Sequence, residues 1–447
     1  MLRLGRKLHV VSTAVALGAT LIARDAIGQG PAAPASSTPR ITLAEAIERA
    51  NRVQPTVVSA FGSVRNANAR KRASFGAFLP NLTISGSIGD FYSEGARIDP
   101  STGQLVTSGT TNRSVNSNLN SSIELFDGWR RPAERKAANA NLDAAEAGLV
   151  DAQFNQQLTT TNAYFDVLAA EQLLTVRQAS VRRAEEQLNV SVNRLHAGSG
   201  IRSDSLRSLV TLGQAQLSLL DAQTALAVAQ ANLGRIVGAD GPVGAVDDSS
   251  MYTVMTTVDT AVIRTEALSK APSVIAAEAS ARASRASVGV SKAAYFPTLT
   301  LSTSLSLNGS RQNDYTFLQQ RQLNLGVNWP IFNRFQREQS IATALSSAET
   351  AEANAAEARR QVLSDVTSSL ASLEAARLRI GITQTSVQAA REDLRVQQER
   401  FRLGAGTIVD VLTSQEALDQ AEVDAVTARF DYVRARAELS ALIGRPL

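Results

Sequence analysis

The chain of 447 residues has no cysteine, which excludes disulfides, thiolate metal sites and cysteine nucleophiles. Histidine is almost as scarce: His9 lies in the apolar N-terminal segment, which leaves only His196. A single histidine beside a helix end does not form a zinc site or a catalytic triad by itself. No glycine-rich phosphate loop follows a strand pattern. We therefore expect a protein that is not an enzyme and that has no cofactor and no metal.

Aromatic residues and long apolar runs are also scarce. Aromatic side chains make up 5% of the chain, which favours long helices with thin contact seams over a thick globular core. Beyond the N-terminus no stretch approaches the roughly 20 apolar residues of a transmembrane helix. The charged residues, 19% of the chain with a net charge of +4, are scattered. Since no basic block is present to hold phosphate backbones, we expect no nucleic-acid partner.

The N-terminus has the pattern of a secretory signal peptide. Arg3, Arg6 and Lys7 precede an apolar run over residues 8–22, and small residues follow at Ala26 and Gly28. An uncleaved membrane anchor is the alternative, but the run is short for spanning a bilayer. We assign residues 1–28 to the signal peptide and residues 29–40, rich in Pro, Ala and Ser, to a flexible N-terminal segment.

The chain contains an internal duplication. The segment Arg194 to Leu206 recurs as Arg400 to Leu412, with arginine, two glycines, aspartate and leucine all 206 positions apart. Two glycines in each copy end one helical pattern and allow the chain to reverse. The duplication predicts a first repeat at 41–238, a linker at 239–259 and a second repeat at 260–447.

Each repeat combines one strand hairpin with two long helices. Alternating apolar and polar residues predict strands at about 81–92, 114–125, 298–308 and 321–331. Helical patterns without proline after Pro132 in the first repeat, and without any in the second, predict helices at about 130–197, 203–237, 335–403 and 407–443. The longest would measure roughly 100 Å, which implies coiled-coil packing. The first hairpin has 11 more residues than the second, in its strands or in its loop, and loops accept insertions more easily.

The strands have features of membrane strands. Their length suits a tilted strand that crosses a bilayer, and their polar positions are mostly Asn, Ser, Thr and Gly. Five aromatic residues lie where strands meet helices and suit a membrane interface: Phe126, Trp129, Trp329, Phe332 and Phe335. Four strands cannot close a barrel. Either the sheet is soluble and packs on the helices, or several chains pool their hairpins.

The two repeats together resemble the TolC family of outer-membrane efflux and secretion channels. The resemblance includes the Phe126-Asp127-Gly128 turn of the first repeat and the tip of the second, Gly404-Ala405-Gly406-Thr407-Ile408-Val409-Asp410-Val411-Leu412. The resemblance covers essentially the whole mature chain. It implies a mainly α fold with a membrane β-barrel, built from a duplicated helix–β-hairpin–long-helix repeat. Three chains of a homotrimer would form one 12-stranded barrel in the outer membrane. An α-helical coiled-coil tunnel would continue it across the periplasm.

The same resemblance implies a function. The chain would be the exit duct of a tripartite efflux pump and would conduct small toxic molecules passively. Its partners would be a periplasmic adaptor protein, an inner-membrane RND or ABC transporter, and outer-membrane lipid. One alternative is the outer-membrane component of a type I protein secretion system. An alternative of another class is a periplasmic coiled-coil scaffold.

The residues of the helical tip admit two interpretations. Thr407 and Asp410 have the spacing of a capping box, which alone accounts for the carboxylate. The resemblance adds a role for Asp410 in a ring at the periplasmic constriction, with Asp204 as the carboxylate of the other repeat. The family's second aspartate falls on Thr413, and its gate-locking tyrosine and arginine fall on Phe401 and Gly406. We therefore expect one anionic ring, with closure that depends more on packing than on charge.

The resemblance also implies docking of the adaptor at the tips. The candidates are the residues at the end of each long helix: Arg194, Leu195, Gly198, Arg400 and Gly404. The alternative is a purely structural role, in which the helix dipole favours an arginine in the last turn and a glycine caps the helix.

Overall fold

The structure, a computed structural model, describes residues 38–248, 252, 259–311 and 314–445. The expected signal peptide, residues 1–28, lies outside the described residues, as do residues 29–37 and most of 249–258. Within the described part, the helices and strands appear twice in the same order. They are β1 (Arg40–Ile41), α1 (Leu43–Val53), α2 (Pro55–Gly76), β2 (Asn81–Ile98), β3 (Leu105–Phe126), α3 (Arg130–His196), α4 (Arg202–Val237), β4 (Gly244–Ala245), α5 (Thr260–Lys270), α6 (Pro272–Lys292), β5 (Thr298–Ser310), β6 (Leu318–Asn328), α7 (Gln336–Arg402) and α8 (Ile408–Ile443).

The four long helices form two helical hairpins. Helices α3 and α7 have 67 residues each, and α4 and α8 have 36 each. At about 1.5 Å per residue, α3 and α7 are roughly 100 Å long. Every boundary of α7 and α8 lies 206 positions after the same boundary of α3 and α4. Among the described residues, no helix carries an apolar stretch long enough to cross a bilayer.

The four longer strands form one antiparallel sheet in the order β2-β3-β5-β6. Leu119 of β3 lies between Ile84 of β2 and Leu305 of β5, so apolar side chains share one face. The other face carries Asn, Ser and Thr, as the alternation predicts. Within the described residues, β2 and β6 are the edges and have no further strand partner.

The first hairpin of strands differs from the expectation. β2 continues to Ile98 and β3 begins at Leu105, so most of the residues expected in a polar loop are paired. The extra length therefore lies in the strands, with 18 and 22 residues against 13 and 11 in β5 and β6. Ser, Thr and Gly each carry a backbone donor and acceptor, so they extend a ladder without apolar side chains. β6 ends at Asn328, three residues early, and Pro330 beyond it has no N–H to donate.

The main core lies near the middle of the long helices, where α3 and α8 meet the N-terminal segment and the linker. β1 and β4 pair in parallel, with Arg40 opposite Gly244. The buried Tyr164 hydroxyl of α3 accepts from the Val246 N–H at 3.0 Å and lies 3.2 Å from the Ile41 carbonyl. Ile41 and Val246 provide backbone groups of this buried polar arrangement, so part of the expected linker packs against the first repeat.

Candidate functional site

Both helical tips are closed by a Schellman motif. At the first tip, Gly198 has φ = +72° and its N–H donates to Leu195, while Ser199 donates to the Arg194 carbonyl at 3.0 Å. At the second, Gly404 has φ = +74° and the equivalent bonds reach residues 401 and 400. A side chain other than glycine would be strained at this left-handed position. Of the two glycines expected to reverse the chain at each tip, the first occupies this left-handed position.

The helices that leave the tips begin differently. At the start of α8, the Thr407 N–H donates to the Asp410 carboxylate at 3.0 Å, and the Asp410 N–H donates to the Thr407 hydroxyl at 3.3 Å. This is the expected capping box. The hydrogen bond from the Thr407 backbone holds the pKa of Asp410 below its usual value. At the start of α4 the N-cap is Ile201, whose apolar side chain cannot accept a hydrogen bond from the helix.

The gate candidates are not equivalent in exposure. Asp410 and Thr413 are exposed on successive turns of α8, and Asp204 is partly exposed on α4. Gly406 packs so closely on the last turn of α7 that a Cβ would lie 3.1 Å from the Cβ of Arg400. Phe401 is only 5% exposed, in a small core of the second helical hairpin.

The docking candidates also differ in their contacts and in their exposure. The Arg194 guanidinium lies over the Phe401 ring, 4.4 Å from its centroid, and Nη1 donates to the Phe401 carbonyl. Arg194 therefore joins the two helical hairpins within the chain. Its counterpart Arg400 is exposed and donates to Gln397 and Ala405 of its own tip. Leu195 is partly buried, whereas Gly198 and Gly404 are exposed.

A charge cluster between α3 and α8 was missed from the sequence. Arg183 of α3 donates to Asp419 at 2.5 Å and to Glu422 at 2.8 Å, both on α8. The three side chains are 15 to 21% exposed. Ser180 also donates to Asp419. The spacing of Asp419 and Glu422 places both on one face of α8, but nothing in the sequence shows that Arg183 faces them.

A groove of about 620 Å³ runs beside this cluster, between the two helical hairpins. Its walls include Arg207 of α4 and Thr413 and Glu416 of α8. Thr413 therefore faces the space between the two helical hairpins. In the described ranges, no three His, Asp or Glu side chains lie together as a metal would require.

The predicted interfacial aromatics lie at the junction of the sheet and the long helices. The rings of Phe126 and Trp129 meet edge to face at 6.2 Å, and those of Phe332 and Phe335 at 5.5 Å. The indole N–H of Trp329 donates to the Tyr295 carbonyl at 3.2 Å. Except for Phe126, which is partly buried, these aromatic side chains are exposed.

The two junctions are built alike around an arginine. In the first, Arg131 donates to the buried Asp127 carboxylate at 2.9 Å and lies over the Phe78 ring. In the second, Arg337 lies over the Tyr295 ring, 4.1 Å from its centroid. Gly128 has φ = +66°, and a Cβ there would lie 2.6 Å from the Ala293 carbonyl. The turn that leaves the first hairpin therefore requires glycine.

Comparisons with known proteins agree with this architecture. The model of the outer membrane efflux protein family matches residues 46–239 and 263–445, one block in each repeat. The pyoverdine export outer membrane protein OpmQ of Pseudomonas aeruginosa is 29% identical over 343 residues, covering 74% of this chain and 70% of OpmQ. The outer membrane efflux protein BepC of Brucella suis is 25% identical over 408 residues, covering 90% and 86%.

The fold is shared with a solved structure. The outer membrane protein VceC from Vibrio cholerae superimposes with a TM-score of 0.74 at 19% identity, over 90% of this chain and 96% of VceC. The expected mainly α fold with a membrane sheet is confirmed. The family match also decides against a periplasmic scaffold. The chain belongs to the outer membrane efflux protein family and is an outer-membrane channel with a periplasmic helical tunnel, the exit duct of an efflux pump.

Proposed function

We propose that the channel is a homotrimer in which three four-stranded sheets close one barrel. The observation that carries this proposal is the sheet itself, which has unpaired edges at β2 and β6 within the described chain. Unpaired backbone groups are not tolerated in the hydrocarbon region of a bilayer, so each edge needs a partner strand. Edge β2 of one subunit and edge β6 of the next supply each other with that partner.

The outer face of the sheet supports a lipid environment. Ile84 and Ile88 of β2 and Leu323 of β6 are more than 70% exposed in the single chain. Covering such side chains contributes about 25 cal/mol per Å² of apolar surface removed from water. The opposite face carries Asn116, Asn118 and neighbouring serines, which suit a water-filled lumen.

The helical tips form the periplasmic end of the proposed channel. Asp410, exposed and oriented by its capping box, supplies one carboxylate per subunit to an anionic ring. Such a ring favours cations and binds divalent ions. A periplasmic adaptor docks at the tips, with exposed Arg400 as the best-placed arginine, and an RND or ABC transporter of the inner membrane loads the tunnel.

The cargo proposed here is a small molecule. OpmQ is named for pyoverdine export, and BepC is named as an efflux protein. In this proposal the inner-membrane transporter selects and drives the cargo, and the channel conducts it passively. Type I protein secretion is the alternative outcome, and deletion of the chain distinguishes the two. Loss of small-molecule resistance supports the proposal, and loss of a secreted protein alone contradicts it.

Conductance in a planar lipid bilayer tests the ring. We expect Asp410→Asn to reduce cation selectivity and block by divalent ions, because three carboxylates lose their charge together. Asp204→Asn is the matched control at the equivalent position of the first repeat, and we expect a smaller change. Unchanged selectivity and divalent block in Asp410→Asn would contradict the ring while leaving the channel itself intact.

A further inference from the structure

A basic groove lies between α2 and α3 of the first repeat, close to the sheet. It has a volume of about 380 Å³ and is lined by Asn68, Lys71, Arg72 and Phe75 of α2 and by Arg135 of α3. All five side chains are exposed. Three of them are cations, and none of the described residues that line the groove carries a carboxylate. The conduction of cargo proposed above gives this groove no role.

The cations of the groove have no acidic partner in the chain. α2 contains four basic residues and no Asp or Glu. In the part of the chain that the structure describes, no ion pair includes Lys71, Arg72 or Arg135. Glu134, next to Arg135 in the sequence, pairs with Arg130 instead. Three uncompensated cations around one groove favour an anionic ligand.

The second repeat has uncharged residues at the equivalent positions. α6 begins at Pro272, 217 positions after Pro55 of α2, and α7 begins 206 positions after α3. Lys71, Arg72 and Arg135 therefore correspond to Val288, Gly289 and Ile341. The duplication thus supplies the basic groove once in each chain.

Arginines of the second repeat that lie in this region are paired with carboxylates. Arg285 of α6 donates to Glu352 of α7 at 2.8 Å. Arg359 of α7 donates to Glu278 of α6, also at 2.8 Å. Ion pairs between α6 and α7 therefore take the place of the unpaired cations between α2 and α3.

The first turns of α3 show which way its sides face. Arg130 donates to Glu124, which lies opposite Thr300 on the polar face of the sheet. A Cβ built at Gly289 of α6 would lie 3.7 Å from the Ala133 Cβ. The side of α3 that carries Arg130 therefore faces the channel, and the side that carries Ala133 faces α6.

The groove lies on the outer side of the helical wall. Arg131 lies over the Phe78 ring and so faces the end of α2. With 3.6 residues per turn, Arg135 lies about 40° beyond Arg131 and further from Arg130. The channel, α2 and α6 occupy three sides of α3 in this region, so Arg135 and the groove beside it face the exterior.

The exterior at this height is the periplasmic surface of the outer membrane. Arg72 is four residues, or roughly 6 Å, before the end of α2 at Gly76. Arg135 is five residues, or roughly 8 Å, after the start of α3 at Arg130. The membrane sheet begins again at Asn81. The groove therefore lies beside the lipid headgroups of the leaflet that faces the periplasm.

Exposed apolar side chains lead from the groove to the lipid-facing side of the sheet. Phe75 lines the groove, and Leu79 follows it, also exposed. Leu82 of β2 is exposed on the same face of the sheet as Ile84. A ligand with a phosphate at one end and an acyl chain at the other matches this order of cations and apolar side chains.

We propose that the groove binds the headgroup phosphate of an anionic phospholipid in the periplasmic leaflet of the outer membrane. Lys71, Arg72 and Arg135 hold the phosphate, and guanidinium groups suit phosphate oxygens because they donate two parallel hydrogen bonds. Phe75 contacts the beginning of an acyl chain. The proposal uses the outer-membrane location of the chain and depends neither on the trimer nor on the ring at Asp410.

Native mass spectrometry of the protein extracted from outer membranes counts the bound lipids. The protein is titrated in detergent with phosphatidylglycerol and, in a separate series, with phosphatidylcholine. We expect one tightly bound phosphatidylglycerol per chain and weaker binding of phosphatidylcholine, whose headgroup has no net charge. The number per chain is the same in a monomer and in a trimer, so failure of the proposed trimer would be seen separately in the mass of the protein.

Two variants with equal loss of charge separate the groove from the overall charge of the protein. Lys71→Gln with Arg135→Gln removes two cations of the groove. Arg182→Gln with Arg202→Gln removes two exposed cations near the far end of the tunnel. We expect the first variant to bind phosphatidylglycerol about tenfold more weakly, because each basic side chain beside an anionic lipid surface strengthens binding several-fold. The second variant should bind it as the wild type does.

A charge-preserving variant separates binding from folding. Lys71→Arg with Arg135→Lys should keep the preference for phosphatidylglycerol, and all variants should dissociate at the wild-type temperature in lipid-free detergent. Equal affinity for the two lipids, or equal losses in the two glutamine variants, would show the proposal to be wrong. If inorganic phosphate at the same concentration displaces the lipid, the groove is a general anion site and the assignment to a phospholipid is wrong.

Discussion

The two helical tips share a backbone and differ in the helix that comes after. Both end in a Schellman motif with a left-handed glycine. The second tip continues into a helix capped by Thr407 and Asp410, and the first continues from Ile201 without a side-chain cap. The two repeats therefore share the left-handed glycine that the turn requires, and they differ in the side chain at the N-cap of the next helix. The Asp410 carboxylate is therefore fixed by the hydrogen bonds of a capping box, whereas Asp204 has no capping box.

The largest expected effect comes from the part that the tips share. Gly404→Val forces a β-branched residue into the left-handed region, which costs about 1–2 kcal/mol. We expect a lower thermal dissociation temperature of the purified protein and faster amide exchange at residues 400–407. Gly148→Ala is the control, because that glycine lies inside α3 with open space around its Cβ. Equal effects of the two variants would show that the left-handed cap contributes little.

A smaller effect is expected from the capping box. Thr407→Ala removes the hydroxyl that accepts the Asp410 N–H, which costs about 1 kcal/mol at an N-cap. We expect amide exchange to increase in the first turn of α8 and to stay unchanged in the first turn of α4. An unchanged first turn of α8 would mean that packing of Ile408 alone fixes the start of that helix.

Introducing a capping threonine at the first tip would give both tips the same N-cap. Ile201→Thr creates at 201–204 the spacing that Thr407 and Asp410 have, and it removes a side chain that is 63% exposed. We expect a gain of about 0.5 kcal/mol in local stability, at the low end for N-caps. Amide exchange at residues 202–205 should become slower. Faster exchange there would show that Ile201 contributes through contacts that the single chain does not reveal.

The smallest effect on the tips is expected from lowering the pH. The pKa of Asp410 is depressed, so its stabilisation is present above about pH 4, the usual aspartate pKa, and is lost as pH falls through the folded value. We expect protection of the first turn of α8 to decrease below about pH 4, after correction for intrinsic exchange rates. Asp410→Asn should show no such dependence. A dependence that persists in the variant would assign it to another group.

The helices could be predicted closely from the sequence. Long helical patterns ended by glycine set the limits of α3, α4, α7 and α8 to within a few residues, because backbone sterics act locally. The strand hairpin was predicted less well. Polar residues between 93 and 112 look like a loop, but they continue the ladder of β2 and β3 because their backbone groups pair regardless of side chain.

The contacts between distant segments could not be predicted. Arg183 and Asp419 are 236 positions apart, and their pairing depends on which faces of α3 and α8 meet. The pairing of Arg40 with Gly244 also joins distant parts of the chain and involves strands of two residues. For Arg194, the family resemblance implies a docking surface, and the structure shows it in contact with Phe401. The helix-end position was correct, and the partner depended on tertiary packing.

The central claim is that the sheet is completed only by other copies of the chain in a membrane. The most direct measurement is the mass of the full-length protein, extracted from outer membranes with detergent, by light scattering corrected for bound detergent. The account predicts the mass of three chains, with aggregation when detergent is removed because the apolar face of the sheet becomes exposed to water. A monomer that stays soluble without detergent would contradict it.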